Sequence, residues 1–223
     1  MALGVKALPF TLVAHLLAFA IAVMVLVWCI HFRGGLAWES SNKSLIFNIH
    51  PVLMLIGVII IGGEAIISYK SVPLKMEVKK LIHLGLHAVA LILGIIGISA
   101  TFKYHNESSI PNLYSLHSWL GIGIIVLYGI QWICGFVIFF YPGGSKGLRA
   151  DSLPWHVVFG MLVYMLAVAN AALGFMEKLT FLEILRLPKY GSEAFLVNFT
   201  AVITILYGVF VALSVASQGK FSK

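Results

Sequence analysis

Residues 116–141 read LHSWLGIGIIVLYGIQWICGFVIFFY, a run of 26 residues without one Asp, Glu, Lys or Arg. Coiled as an α-helix at 1.5 Å per residue, it is about 39 Å long, more than the ~30 Å hydrocarbon core of a bilayer. Lipid offers a backbone no hydrogen-bond partners, so such a run is expected to cross it as a helix. His117 stands at the second position of the run.

Five more stretches have the same character: 7–30, 49–69, 81–102, 155–175 and 194–217. Of the six, only the second carries a charged residue, Glu64. Barrel strands would instead alternate in short segments of ~10 residues. The first stretch is longer than a signal-peptide core and no small-residue cleavage site follows it, so it reads as a retained helix. The connections are short and built from turn formers: Arg33-Gly34-Gly35, Ser71-Val72-Pro73 and Tyr141-Pro142-Gly143-Gly144. Consecutive helices are then antiparallel neighbours. The expected fold is an all-α membrane protein, a six-transmembrane-helix bundle forming one domain over 1–223. Composition agrees: 61% of residues are hydrophobic and 10% charged, where a soluble domain has about 25% charged. A soluble globule and a disordered chain are excluded, and two cysteines in 223 residues do not make a disulfide scaffold.

Six spans put both ends of the chain on one side of the membrane. Lys6, Lys70, Lys75, Lys79, Lys80, Lys146, Arg149, Lys220 and Lys223 fall on that side; Arg33, Lys43, Lys103, Lys178, Arg186 and Lys189 fall on the other, together with five of the eight acids. Cationic loops stay in the cytoplasm, so both termini are expected there. The net charge of +7 suits anionic lipid and small anions. Cations spread over two membrane faces do not suit nucleic acid.

Ionisable residues are rare inside membranes and usually functional. His50 opens the second span, His83 the third, His117 the fourth and His156 the fifth. Antiparallel helices begin on alternating sides, so His50 faces His117 at one surface and His83 faces His156 at the other. Two facing imidazoles within a bundle are what an axially ligated haem requires. The four central helices, 2–5, would hold two such groups, and with no C-x-x-C-H they would be b-type. Zinc is a poorer match, because each pair offers two nitrogens with no thiol or carboxylate beside them. Gly121 and Gly160 follow His117 and His156 by four residues, and Gly57 follows His50 by seven; on those faces they would clear space for a macrocycle.

The remaining polar residues have plainer readings. His87, one turn beyond His83, competes as a ligand but lies deeper than its partner. His15 reads as a hydrogen-bonded core residue and His31 as interfacial. His105 reads as lying in the loop after the third helix, either solvated or exchanging protons with a substrate. Cys29 and Cys134 read as small buried hydrophobes. Glu64 either snorkels to the interface or has a proton role near the second haem.

Four motifs carry a resemblance that covers the whole chain: Phe47-Asn48-Ile49-His50-Pro51-Val52-Leu53-Met54, Lys79-Lys80-Leu81-Ile82-His83, Tyr114-Ser115-Leu116-His117-Ser118-Trp119-Leu120-Gly121 and Leu153-Pro154-Trp155-His156. With them the chain resembles the eukaryotic cytochrome b561 family, ascorbate-dependent transmembrane electron carriers, and most of all its plant members. The resemblance implies two haem b per chain, with His50 and His117 binding one and His83 and His156 the other. It implies that cytoplasmic ascorbate is the donor and that monodehydroascorbate or a ferric chelate is the acceptor opposite. It also implies a homodimer and a vacuolar or other endomembrane location. Lys79, Lys80 and Arg149 match the family's ascorbate contacts, with Lys70 a further candidate. Met76 stands where the family often has lysine. His105 matches a histidine beside the far substrate site, flanked by Tyr104 and Tyr114. Catalytic roles are expected for Lys80 at the donor and His105 at the acceptor. Two rival readings are a di-haem subunit serving a quinol or dehydrogenase partner, and a haem-free proton-coupled transporter; the latter is disfavoured by the lack of a broken helix.

Overall fold

Six apolar helices account for nearly all of the computed structural model, which describes residues 3–218. Lys220 and Lys223, counted above for topology, lie outside the described residues. The helices are α1 (Leu8–Phe32), α2 (Ser44–Ser71), α3 (Met76–Glu107), α4 (Leu116–Phe139), α5 (Lys146–Ile184) and α6 (Ser192–Ala216). Each is long and apolar enough to cross a bilayer, and the chain is an integral, multi-pass membrane protein. A short parallel ladder, absent from the expectation, pairs β1 (Leu3–Lys6) with β2 (Ser217–Gln218). It joins the two ends of the described chain on one face, called here the terminal face; the opposite one is the distal face.

Two helices overrun their apolar stretches. Helix α3 spans 32 residues and α5 spans 39, about 48 Å and 58 Å. Hydropathy marks where lipid ends, whereas a helix ends at its cap. Ser145 accepts a hydrogen bond from Leu148 N and starts α5 at Lys146, ten residues before His156, and the helix then runs through Pro154. Helix α4 begins on a capping box of Ser115 and Ser118. Helix α2 widens to a π turn over Met54–Ile61.

Between α1, α2 and α6 the side chains of Ile21, Val25, Ile67, Val197, Tyr207 and Val211 are fully buried. Small residues permit this packing: Ala14 and Ala18 on α1 let backbones approach, as lipid-embedded helices require, and Gly208 on α6 makes room for Val168 of α5. Thr200 and Thr204 are buried there as well, and their hydroxyls donate to the carbonyls of Leu196 and Thr200 at 2.7 and 2.8 Å. Helices α1 and α6 thus form a buttress, leaving α2–α5 to enclose the histidines. Cys29 is buried as expected, but Cys134 is exposed.

Candidate functional site

The four span-opening histidines meet in two pairs. The ring centres of His50 and His117 lie 6.1 Å apart near the distal face, and those of His83 and His156 lie 6.2 Å apart near the terminal face. Three rings are held by backbone. His50 Nδ1 donates to Gly97 O (3.2 Å), His83 Nδ1 to Ala65 O (2.9 Å) and His117 Nδ1 to Asn170 O (2.9 Å). The fourth, His156, has the amide Nε2 of Gln131 3.0 Å from its Nδ1, and that amide also donates to His156 O at 2.8 Å. In the three rings held by carbonyls, a proton fixed on Nδ1 leaves the Nε2 lone pair available, the arrangement in which histidine binds a metal.

These anchors are reciprocal. Gly97 lies fourteen residues after His83 on α3, Gln131 fourteen after His117 on α4, and Asn170 fourteen after His156 on α5. Each helix therefore presents a histidine at one face and, about 21 Å along, the anchor for its neighbour's histidine. Ala65 lies fifteen after His50, because the π turn of α2 takes up one extra residue. Gln131 and Asn170 were not foreseen; for Gln131 the visible signal was a carboxamide within an otherwise apolar span, whereas Asn170 acts through its backbone carbonyl.

Space around the rings is kept by glycine, partly as expected, since Gly160 lines the terminal cavity, and partly by others. A Cβ on Gly57 would meet Leu93 at 2.7 Å, so that residue serves α2–α3 packing. A Cβ on Gly174 would lie 2.8 Å from His117 Cε1, and one on Gly135 would lie 3.0 Å from His156 Cε1. Each falls eighteen residues after the histidine of its own helix. The terminal pair borders a cavity of about 740 Å³ walled by Trp132, Phe136, Phe139, Leu153 and Met161. Trp132 Nε1 donates to Leu84 O at 3.1 Å, tying α4 to α3 beside it.

A metal bonded at about 2 Å to one nitrogen of each ring, with each ring centre about 1 Å further back, places the centres about 6 Å apart. Both pairs match that spacing. Among the described residues no three His, Cys, Asp or Glu side chains converge as a metal site, so each gap is offered two axial nitrogens. Asn170 Oδ1, beside the distal pair, is buried without a donor among the described residues. Apolar walls and paired imidazoles fit a porphyrin. His87 takes another part: its Nδ1 lies 2.5 Å from Tyr128 OH, with its ring 4.4 Å from that of His83.

At the terminal face Lys80, Arg149 and Lys70 line the cavity with His83 and His156. Lys79 does not join them. It is buried and donates to Tyr69 O at 3.0 Å, because one residue along a helix turns a side chain to another face.

At the distal face His105 lies in the last turn of α3 rather than in a loop. Residues 103–107 are polar yet helix-compatible, and Lys103 pairs with Glu107 one turn on, so the helix persists past the lipid. Rings then run in sequence: His105 to Tyr104 at 5.7 Å, Tyr104 to Phe47 at 5.2 Å, and Phe47 to His50 at 6.1 Å. Tyr114 is exposed and outside this series. Lys178, unforeseen, sits 5.3 Å from the centre of Phe47 and 5.5 Å from that of Trp28. Trp28 Nε1 donates to Glu193 at 2.9 Å, and Glu193 pairs with Arg33, closing α1 against α6.

The family model for eukaryotic cytochrome b561 matches residues 49–182, the part that holds all four histidines. The chain belongs to the eukaryotic cytochrome b561 family. It is 67% identical over 218 residues to transmembrane ascorbate ferrireductase 1 of Arabidopsis thaliana, covering 98% of this chain and 91% of that protein. It is 64% identical over 221 residues to probable ascorbate-specific transmembrane electron transporter 1 of Oryza sativa subsp. japonica, covering 99% and 94%. A transmembrane ascorbate-dependent reductase of Mus musculus is 37% identical over 221 residues, covering 97% and 86%. As a cytochrome b561, the protein is a haem b protein.

Proposed function

We propose that the protein carries single electrons across a membrane, from cytoplasmic ascorbate to monodehydroascorbate or a ferric chelate on the other side. The observation that carries this reading is one imidazole pair beneath each face, about 21 Å apart along the helices. The names of relatives along the whole chain support ascorbate as donor and an oxidoreductase activity. Two haem b per chain are proposed, ligated by His50 with His117 and by His83 with His156. Haem b, when bound, supplies the one-electron chemistry.

The residues do the rest. Lys80 and Arg149 hold the ascorbate monoanion at the mouth of the terminal cavity, and Lys70 adds positive potential there. Lys80 stabilises the oxygen from which ascorbate loses its proton. Lys79 acts through position, fixing the start of α3 against α2. At the distal face His105 and Tyr104 bind the acceptor, and His105 passes it a proton. Lys178 draws an anionic acceptor towards the same shelf, and Tyr114 contributes from its exposed loop. Positive charge on the terminal face supports cytoplasmic termini. A single domain, assembly as a homodimer and a vacuolar or other endomembrane location complete the proposal.

Purified protein should show a sharp α-band on adding ascorbate and should contain two haems per chain. Vesicles loaded with ascorbate should reduce ferric chelate outside. Haem that ascorbate leaves oxidised would overturn the reading in favour of a subunit serving a quinol or dehydrogenase. Lys80→Gln should raise the ascorbate KM ~10–100-fold, the worth of one charge-assisted hydrogen bond, with an unchanged spectrum. His105→Ala should slow reoxidation by the acceptor and leave reduction by ascorbate as it was; stopped-flow absorbance separates the two.

A further inference from the structure

The π turn of α2 changes where Glu64 points. With fifteen residues rather than fourteen between His50 and the anchor carbonyl of Ala65, Glu64 leaves the histidine-facing stripe and turns towards α1 and α6. It does not snorkel to the interface. Its Oε2 lies 2.8 Å from His15 Nδ1, and Tyr207 OH lies 3.3 Å from its Oε1. His15 is therefore no core residue: its side chain is 42% exposed on the outer side of α1, with Glu64 at 25%. Both stand seven residues inside their helix ends, about 10 Å below the terminal face.

Hydroxyls link this pair to the cavity. Tyr207 OH donates to Ile60 O at 3.0 Å and Tyr164 OH to Ile59 O at 3.2 Å, the carbonyls near the end of the π turn. A Cβ on Gly63 would lie 2.4 Å from Tyr207 OH and 2.6 Å from Tyr164 OH, so both hydroxyls converge on a point only glycine leaves open. Tyr128 OH lies 3.5 Å from the same position on Gly62 and 2.5 Å from His87 Nδ1. Tyr164, Tyr128 and His87 all line the terminal cavity. The groups facing Glu64 are thus His15 from α1, Tyr207 from α6 and Tyr164 from α5, with Tyr128 of α4 and His87 of α3 beyond. On α2 itself the next ionisable group towards the terminal face, setting Tyr69 aside, is Lys70, which donates to Ser217 O at 2.9 Å.

We propose that Glu64, held between His15 and Tyr207, is a proton-binding site coupled to the electron that enters at the terminal face. This rests on the reading of His83 and His156 as the ligands there. A carboxylate in this setting is poorly solvated, and an electron added to the same low-dielectric region raises the cost of its charge. Glu64 adjoins Ala65, whose carbonyl holds His83. Ascorbate gives one electron; one proton from cytoplasmic water travels the cavity and the tyrosine hydroxyls and forms an O–H bond on Glu64. When the electron leaves for the acceptor, that bond breaks and the proton returns to water. The region then keeps a constant net charge through the cycle.

Spectroelectrochemical titration of the full two-haem protein, across the pH range where carboxylates and imidazoles titrate, tests this. The redox equilibrium of the terminal-face haem should shift with pH by up to tenfold per unit, or ~59 mV. In Glu64→Gln that dependence should vanish. The reduced-minus-oxidised infrared spectrum should carry a protonated carboxyl band that the variant lacks. Should Glu64→Gln fail to hold its haem, Tyr207→Phe keeps the carboxylate and should shift the same band. A two-haem protein with neither pH dependence nor carboxyl band, or a dependence that survives in Glu64→Gln, overturns the proposal. The haem content of His83→Ala reports separately on the ligand reading beneath it.

Discussion

Replacing His117 with alanine should halve the haem content, leaving one haem of the two proposed per chain. The ring is fixed by Asn170 O at 2.9 Å and faces His50 across a 6.1 Å gap. Without it the distal site keeps one axial nitrogen. Loss of a mere supporting group around a metal costs about 10–100-fold in affinity, so loss of the ligand takes at least the upper end. The terminal pair lies about four helical turns away and shares no side chain with the distal one, so it should retain its haem. Ascorbate should still reduce the remaining haem, while transfer to an outside acceptor should fall ~100-fold or more. A pyridine haemochrome assay against protein concentration gives the count. His31→Ala is the control, because His31 packs edge-on against Phe32 at the end of α1 and should leave both haems in place. A full haem complement in His117→Ala would refute the ligand assignment.

Gly174→Val should have nearly the same effect without touching a ligand. A Cβ there lies 2.8 Å from His117 Cε1. The imidazole cannot swing aside, since its Nδ1 is bonded to Asn170 O on the same helix as Gly174. Helix propensity alone would favour a side chain over glycine by up to ~1 kcal/mol, so glycine stands here against local preference. The expected result is a ~10–100-fold weaker distal haem, in line with other changes just outside a metal's ligands. Gly135→Val should do the same at the terminal site. Gly129→Ala, where an added Cβ meets nothing within 4 Å, should leave both sites intact. Haem retention through gel filtration, with the α-band of each centre resolved, measures all three. Equal retention in Gly174→Val and Gly129→Ala would show that the contact has no bearing on binding.

The six spans were legible because lipid imposes a single rule on every helix: about 20 apolar residues. The histidine pairing was legible for a related reason. Antiparallel neighbours alternate direction, so the position of His50, His83, His117 and His156 at span starts assigns each to a face. What could not be read depends on partners without a sequence signature. Gly97, Ala65 and Asn170 offer backbone carbonyls, which every residue has. Lys79 and Lys80 are adjacent in sequence yet part by helical rotation, one buried and one at the cavity. Helix α3 runs on through His105 because polar residues mark the end of lipid, not of the helix. The extra residue within Met54–Ile61 leaves no compositional trace, and with it the turning of Glu64 towards His15 was hidden.

Since every imidazole is anchored fourteen or fifteen residues from its helix's own ring, the redox gap is gauged by helical pitch rather than by any connecting loop. Surface segments can lengthen, shorten or change charge to suit a new donor or acceptor while the internal span stays constant. A single insertion within α3, α4 or α5 would instead dislodge a ring and an anchor together. Of the four helices that carry the paired rings, only α2 has absorbed such an insertion, and evolutionary drift in this architecture should accordingly collect at its rims.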